Sequence, residues 1–414
     1  MLAAMRRTLS SARRLLNRVT LGLFLAQVAT MVLLTVLESF RKKQRKLRRF
    51  PVTAPESLHV NRNEVTVYTY GADLYDAMIA AIDAATDHVY FETYIWKGDE
   101  AGQRFVDALA RAADRGVDVY AVWDQFGNLV VPRSFYRSIP ESINTFAYPA
   151  LPKPWSIHTW GFDHRKLMTV DGTVGFVGGY NIGSLYATGW RDTHCRVVGA
   201  DVAELENAFI DFWNMHAGKR HARIERNPHR GWQSQLRVHR NSPRLSVYPI
   251  RNMYLEAIDR ATERIWLTHA YLIPDDDFVA ALRDAAQRGV DVRIIVPAQS
   301  NHVVADWLSR GFYGNLLDSG IRLFLYQQAM VHSKTATIDG VWSTIGTANL
   351  DRVSLMGNYE VNLEVTDPEV AQFMEKVFRR DESNCIEVSA DRWQGRSLAA
   401  KATEALLSPW RPIF

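Results

Sequence analysis

The sequence predicts a mixed α/β protein, with two tandem copies of one sandwich domain related by a pseudo-twofold axis and an N-terminal membrane anchor helix before them. Three observations carry this expectation. An uncharged run of nineteen residues, Val19 to Leu37, sits between basic clusters. A helix-then-strand pattern recurs in both halves, and five polar positions repeat in one register. The expected divisions are 1–50 for the anchor and its basic flank, 51–225 for the first domain and 226–414 for the second. A chain of 414 residues, 47% apolar and 23% charged, is of ordinary globular composition and long enough for two domains.

As a helix, the apolar run is about 28 Å long, close to the hydrocarbon thickness of a bilayer. Arg6, Arg7, Arg13, Arg14 and Arg18 precede it, and a cluster from Arg41 to Arg49 follows. No small-residue cleavage site comes after it, so an uncleaved anchor is expected, with an in-plane anchor and a removed targeting peptide as competing readings. The larger downstream cluster predicts that the domains after it lie on the cytoplasmic face of a cell membrane. Residues 1–50 hold twelve bases and one acid, Glu38, whereas the rest of the chain is net negative, which disfavours a nucleic-acid partner. Cys195 and Cys385 stand far apart with no Cys/His cluster, so neither a disulfide framework nor a cysteine-built zinc site is expected. Self-association is left open.

The repeat is visible in ARAADRGVDVYAV (110–122) and RDAAQRGVDVRII (283–295), each a helix end, an Arg-Gly cap and a strand. Before them stand AIDAATDHVYFETYI and AIDRATERIWLTHAYL. The basic stretch 219–244 lies between the copies and reads as a solvated linker or as a patch for polyanions.

The chemistry lies further on in each copy. The first reads HRKLMTVDGTVGFVGGYN and then WRDTH, and the second HSKTATIDGVWSTIGTAN and then NYEVN. Counted from each His, both have Lys at +2 (Lys166, Lys334), Asp at +7 (Asp171, Asp339), Asn at +17 (Asn181, Asn349) and a carboxylate at +28 (Asp192, Glu360). One chance H-x-K-x4-D match is expected about 0.02 times in this composition. Asp171-Gly172 and Asp339-Gly340 look like two-residue hairpin turns. That register sets His164 opposite Gly179 and His332 opposite Thr347, where small residues leave space for a ligand, and it folds each Asn back beside His and Lys. A nucleophile or proton carrier, a fixed cation and an amide donor around one small space suit a tetrahedral oxyanion, most simply a phosphate. The two aspartates also have an ordinary reading, because Asp before Gly is what a tight turn demands.

These residues resemble the phospholipase D superfamily, whose duplicated HxKxxxxD motifs they match. From about residue 55 onwards the details are most similar to the bacterial cardiolipin synthase branch: FETYIW, WRDTH, SNH at 300–302, GNLLDSGIRLFLY, GTANLDRVSLMGNYEVNL and LLSPW. The chain departs from that pattern at Gly179, His269 and Val353, which bears on headgroup choice. The resemblance implies ping-pong transfer without a metal or other cofactor. His164 would be the nucleophile that becomes a phosphohistidine, and His332 the acid and base. Lys166, Lys334, Asn181 and Asn349 would hold the non-bridging oxygens, with Asp171 and Asp339 counted among the catalytic residues of the motif and Asp192 and Glu360 each orienting the histidine of its own copy. The substrates implied are phospholipids at a membrane, phosphatidylglycerol foremost. A phosphodiesterase acting on phospholipid or nucleic acid is the alternative. Trp155 and Trp160, in a Pro-containing loop before His164, are candidates for a lipid entrance.

Overall fold

The computed structural model describes residues 2–44, 49–151, 161–218, 221–228 and 234–413. Two eight-stranded mixed sheets form its framework. The first has the order Ser57–Val60, Asn63–Tyr68, His194–Gly199, Val174–Gly178, Leu167–Val170, His88–Thr93, Asp118–Asp124, Asn144–Tyr148. The second runs Leu236–Asn241, Glu360–Val365, Trp342–Gly346, Lys334–Ile338, Arg264–His269, Asp291–Pro297, Arg322–Tyr326, Cys385–Val388. From Asn63–Tyr68 in one sheet and Leu236–Asn241 in the other, strand order and direction coincide, with an antiparallel half joined to a parallel half. The expected duplication is therefore a duplication of topology. Each copy adds one strand of its own, on opposite edges.

Local sequence explains why the copies agree. Helix Glu100–Asp114 begins at Asp99, whose carboxylate accepts from Gly102 N–H at 3.1 Å, and buries Phe105, Val106, Leu109 and Ala112 at helical spacing. Its counterpart Asp276–Gln287 begins at Asp275, which accepts from Phe278 N–H at 2.9 Å, and buries Phe278, Val279, Leu282 and Ala285. Each ends at the Arg-Gly pair seen in the sequence.

The domains share apolar surface rather than merely touching. One buried cluster joins Leu167, Val177, Phe209 and Trp213 of the first to Ile345, Val361, Leu363 and Phe373 of the second. Across the same interface the buried Arg191 guanidinium pairs with Asp381, Nε to Oδ1 at 2.8 Å and Nη2 to Oδ2 at 2.7 Å. Such a pair fixes the mutual placement of the halves, because either charge alone would be stranded in a dry interior. Part of the basic 219–244 stretch is not a solvated linker. Leu236–Asn241 is a strand, and Arg240 donates to Asp211 at 2.7 Å.

The N-terminal helix runs from Leu2 to Gln44, and its segment Arg13–Phe40 is long and apolar enough to cross a membrane. One side of it docks on the second domain. Phe24 stacks on Trp410, Gln27 Oε1 accepts from Trp410 Nε1–H at 3.0 Å, and Met31 and Leu34 pack near Ile273, Leu308 and Leu407.

Candidate active site

Both histidines sit where the chain leaves its own sheet and pairs with the other domain. Met330–Val331 lies parallel to Trp190–Arg191, and His332 N–H then donates to Arg191 C=O at 2.7 Å. In the mirrored arrangement Asp163 bridges Tyr359, and His164 N–H donates to Tyr359 C=O at 3.1 Å. Each imidazole is thus mounted on the opposite half. A single cavity of about 500 Å³ is lined by His164, His332, Asn181 and Asn349.

The carboxylates are crossed. His164 Nδ1 lies 3.0 Å from both oxygens of Glu360, and His332 Nδ1 lies 2.6 Å from Asp192 Oδ2. The expectation that each acid serves the histidine of its own copy is therefore wrong, and the cross-domain mounting of the histidines is the reason. With Nδ1 engaged, Nε2 of each ring is the nitrogen left for the reaction.

The hairpin register also differs from expectation. Asp171 and Gly172 adopt left-handed φ values of 51° and 62°, yet the ladder closes on Val170–Val174, so the loop is one residue longer. Asp339-Gly340 repeats this with Ile338–Trp342. His164 consequently does not face Gly179, nor His332 Thr347. The small residues make room for the carboxylates instead of a ligand. A Cβ at Gly179 would collide with the Asp192 carboxylate, and Thr347 Oγ1 donates to Glu360.

Lys166 and Lys334 are buried, each ammonium donating to the carbonyl of its neighbouring histidine. Burial lowers them to about 7 and about 8 respectively. Burial, and then the two lysines, hold His164 well below the usual imidazole range, while burial followed by Lys334 takes His332 to about 3. Both rings are thus neutral at rest. The acids diverge. Burial lifts Glu360 to about 8 against the pull of Lys166, whereas at Asp192 the push of burial is outweighed by His332 and Lys334, leaving that group below the usual carboxylate range. Asn181 Oδ1 accepts from Ile95 N–H at 3.1 Å, which leaves its amide NH2 as the donor for the cavity.

Asp171 and Asp339, expected among the catalytic residues, are not brought into the cavity. Asp171 accepts from the N–H groups of Thr86, Asp87 and His88 and from Thr86 Oγ1, at 2.9 to 3.0 Å. Asp339 holds Thr262, Glu263 and Arg264 in the same way. They tie the hairpin to the turn before the neighbouring strand. Trp155 and Trp160 lie outside the described residues.

Several cavity residues escaped the sequence reading. The Tyr94 ring meets His164 edge-on at 4.7 Å with Lys166 Nζ over its face, and Trp190 lies 5.0 Å from His332. Tyr271, His302 and the buried Asp351 also line the cavity. FETYIW, WRDTH and SNH contain or adjoin three of these, and that adjacency was the available signal. Thr35, Glu38 and Ser39 of the N-terminal helix line it as well.

Two mixed sheets of matching order that bring the histidines and asparagines of duplicated HxKxxxxD motifs into one cavity define a phosphoryl-transfer protein of the phospholipase D superfamily. The family model described as cardiolipin synthase, phospholipase D-like domain, matches residues 78–213 and 254–382. Cardiolipin synthase of Listeria monocytogenes serotype 4b is 32% identical over 384 residues, 89% of this chain and 80% of its own length. That of Staphylococcus aureus strain Mu50 is also 32% identical, over 85% of this chain and 74% of its own. The crystal structure of phosphatidylserine synthase from Haemophilus influenzae Rd KW20 shares the fold, with a TM-score of 0.65 over 91% of this chain and 98% of its own at 14% identity. The chain belongs to the cardiolipin synthase family of phospholipase D-like proteins, and it is a phospholipid transferase of that superfamily.

Proposed function

We propose that the protein is a membrane-bound phosphatidyltransferase that joins two phosphatidylglycerols into cardiolipin and glycerol through a phosphohistidine on His164. The observation that supports this best is the pair of crossed histidine–carboxylate contacts around one cavity, with a buried lysine bonded to the main chain of each histidine. In the first half-reaction His164 Nε2 bonds to phosphorus, the bond from phosphorus to the leaving glycerol oxygen breaks, and that oxygen takes a proton from His332. An anionic phosphodiester entering the cavity raises the proton affinity of His332, which makes this donation available. In the second half, His332 removes the proton from the acceptor hydroxyl, whose oxygen displaces His164 from phosphorus. Lys166, Lys334 and the two asparagines hold the non-bridging oxygens as charge builds on them.

The N-terminal helix supports a membrane location, with the catalytic domains on the cytoplasmic side marked by the larger basic cluster. Purified protein given phosphatidylglycerol vesicles should yield cardiolipin and free glycerol. Phosphatidic acid and glycerol in place of cardiolipin would make it a hydrolase.

A further inference from the structure

The N-terminal helix is more than an anchor, because its Thr35, Glu38 and Ser39 form one wall of the cavity that holds His164 and His332. The Thr35 hydroxyl donates to Met31 C=O at 2.8 Å and the Ser39 hydroxyl to Val36 C=O at 2.7 Å. With their protons directed along the helix, both oxygens present lone pairs outward. Glu38, the one acid among the first 50 residues, adds a carboxylate between them. Asp351 and Tyr271 line the same cavity, and the Tyr271 hydroxyl donates to Asn301 Oδ1 at 2.6 Å. The helix wall therefore presents hydrogen-bond acceptors, whereas each histidine has a buried ammonium bonded to its own carbonyl. Leu33, Val36 and Leu37, on the same turns, are exposed and apolar.

We propose that this stretch of the N-terminal helix is the acceptor subsite, in which Thr35, Glu38 and Ser39 accept hydrogen bonds from the hydroxyls of a polyol headgroup while its acyl chains lie along Leu33, Val36 and Leu37. This rests on the phosphatidyltransferase reading and names the part of the site that chooses the acceptor. One carboxylate among neutral oxygens suits a ligand with several O–H donors. An ammonium headgroup would be matched better by a wall of greater negative charge.

The test uses the full-length protein and a synthetic p-nitrophenyl ester of phosphatidic acid as donor. Glycerol, propan-1-ol and ethanolamine compete as acceptors at equal concentration, and the lipid products are counted by mass spectrometry. Product ratios are internal, so a change in overall rate cancels. The wild type should favour glycerol over propan-1-ol. Glu38→Gln should cut that preference about tenfold, the scale of losing a hydrogen bond to a charged group, and Thr35→Val should cut it less. An unchanged preference in both variants would overturn the subsite, and so would a larger fall for ethanolamine than for glycerol. If Glu38→Gln does not fold, Thr35→Val decides. A wild type that makes only phosphatidic acid would bring down the transferase reading itself, whereas an active transferase with unchanged ratios would sink the subsite alone.

Discussion

His164 is held by Glu360, a carboxylate 196 residues further along the chain, with Nδ1 3.0 Å from each of its oxygens. Asp192 holds His332 in return. Each acid should therefore share the phenotype of the histidine it touches in the other domain. With a donor whose leaving group needs no proton, Asp192→Ala should keep much of its leaving-group release, as His332→Ala should. Glu360→Ala should lose it by about 100-fold, in line with loss of a buried charge-assisted contact. Burst kinetics on the p-nitrophenyl donor would show this, and the opposite pattern would mean the acids act within their own copies.

With the p-nitrophenyl donor, whose leaving group needs no proton from His332, the alkaline limb of kcat/KM should come from Lys166 near 7 and Lys334 near 8, which in the proposed mechanism hold phosphate oxygens only while protonated. The acid limb should belong to Glu360, near 8, rather than to His164, which is already neutral. The nucleophilic form has Nδ1–H donated to an ionised Glu360, so one proton must leave the pair first. Glu360→Gln should flatten the acid limb and keep the alkaline one. Bound phosphodiester favours the ammonium forms, so the alkaline limb of kcat should lie above that of kcat/KM. A pH profile of wild type and Glu360→Gln checks both statements.

Asp171→Ala should cost stability rather than chemistry. It removes hydrogen bonds to three backbone N–H groups and leaves alanine at a left-handed φ, a loss of about 2–3 kcal/mol. Asparagine tolerates that backbone conformation, so Asp171→Asn should lose less. Denaturant titration together with kcat per folded molecule separates this from a catalytic defect.

Chelation should leave turnover largely intact. Among the described residues no three His, Cys, Asp or Glu side chains are grouped to hold a metal ion, and in the proposed mechanism Lys166 and Lys334 supply the positive charge for the phosphate. Assays in excess chelator, with lipid presentation held constant, test this. Activity lost there and restored by one divalent ion would refute it.

Much of this architecture was legible in the sequence. The apolar run is the N-terminal helix, the Arg-Gly caps close matching helices, and the histidines and asparagines of both copies line one cavity, though not through the expected register. The crossing of Asp192 and Glu360 was not legible, for a definite reason. Both copies carry the same five groups at the same intervals, so pairing within a copy and pairing between copies leave identical spacing. The hairpins missed by one residue because Asp-Gly in left-handed conformation fits a two-residue turn and also the longer loop found here. Glu38 was hidden because a charge at the end of an apolar helix looks the same whether it faces water or a cavity. Asp171 and Asp339 shared the motif for a structural reason, since each turn must be tied to the segment before the adjacent strand.

In the proposed mechanism His164 carries the phosphatidyl group and His332 moves the proton. The most direct measurement is to incubate His332→Ala with the p-nitrophenyl donor, quench, digest and map the adduct. The adduct should be an acid-labile, alkali-stable phosphoramidate on the peptide containing Asp163 to Lys166, and none should form in His164→Ala. An adduct on His332 in His164→Ala, with none on His164, would contradict the assignment of roles. No adduct on either residue, with full turnover in both variants, would contradict the site itself.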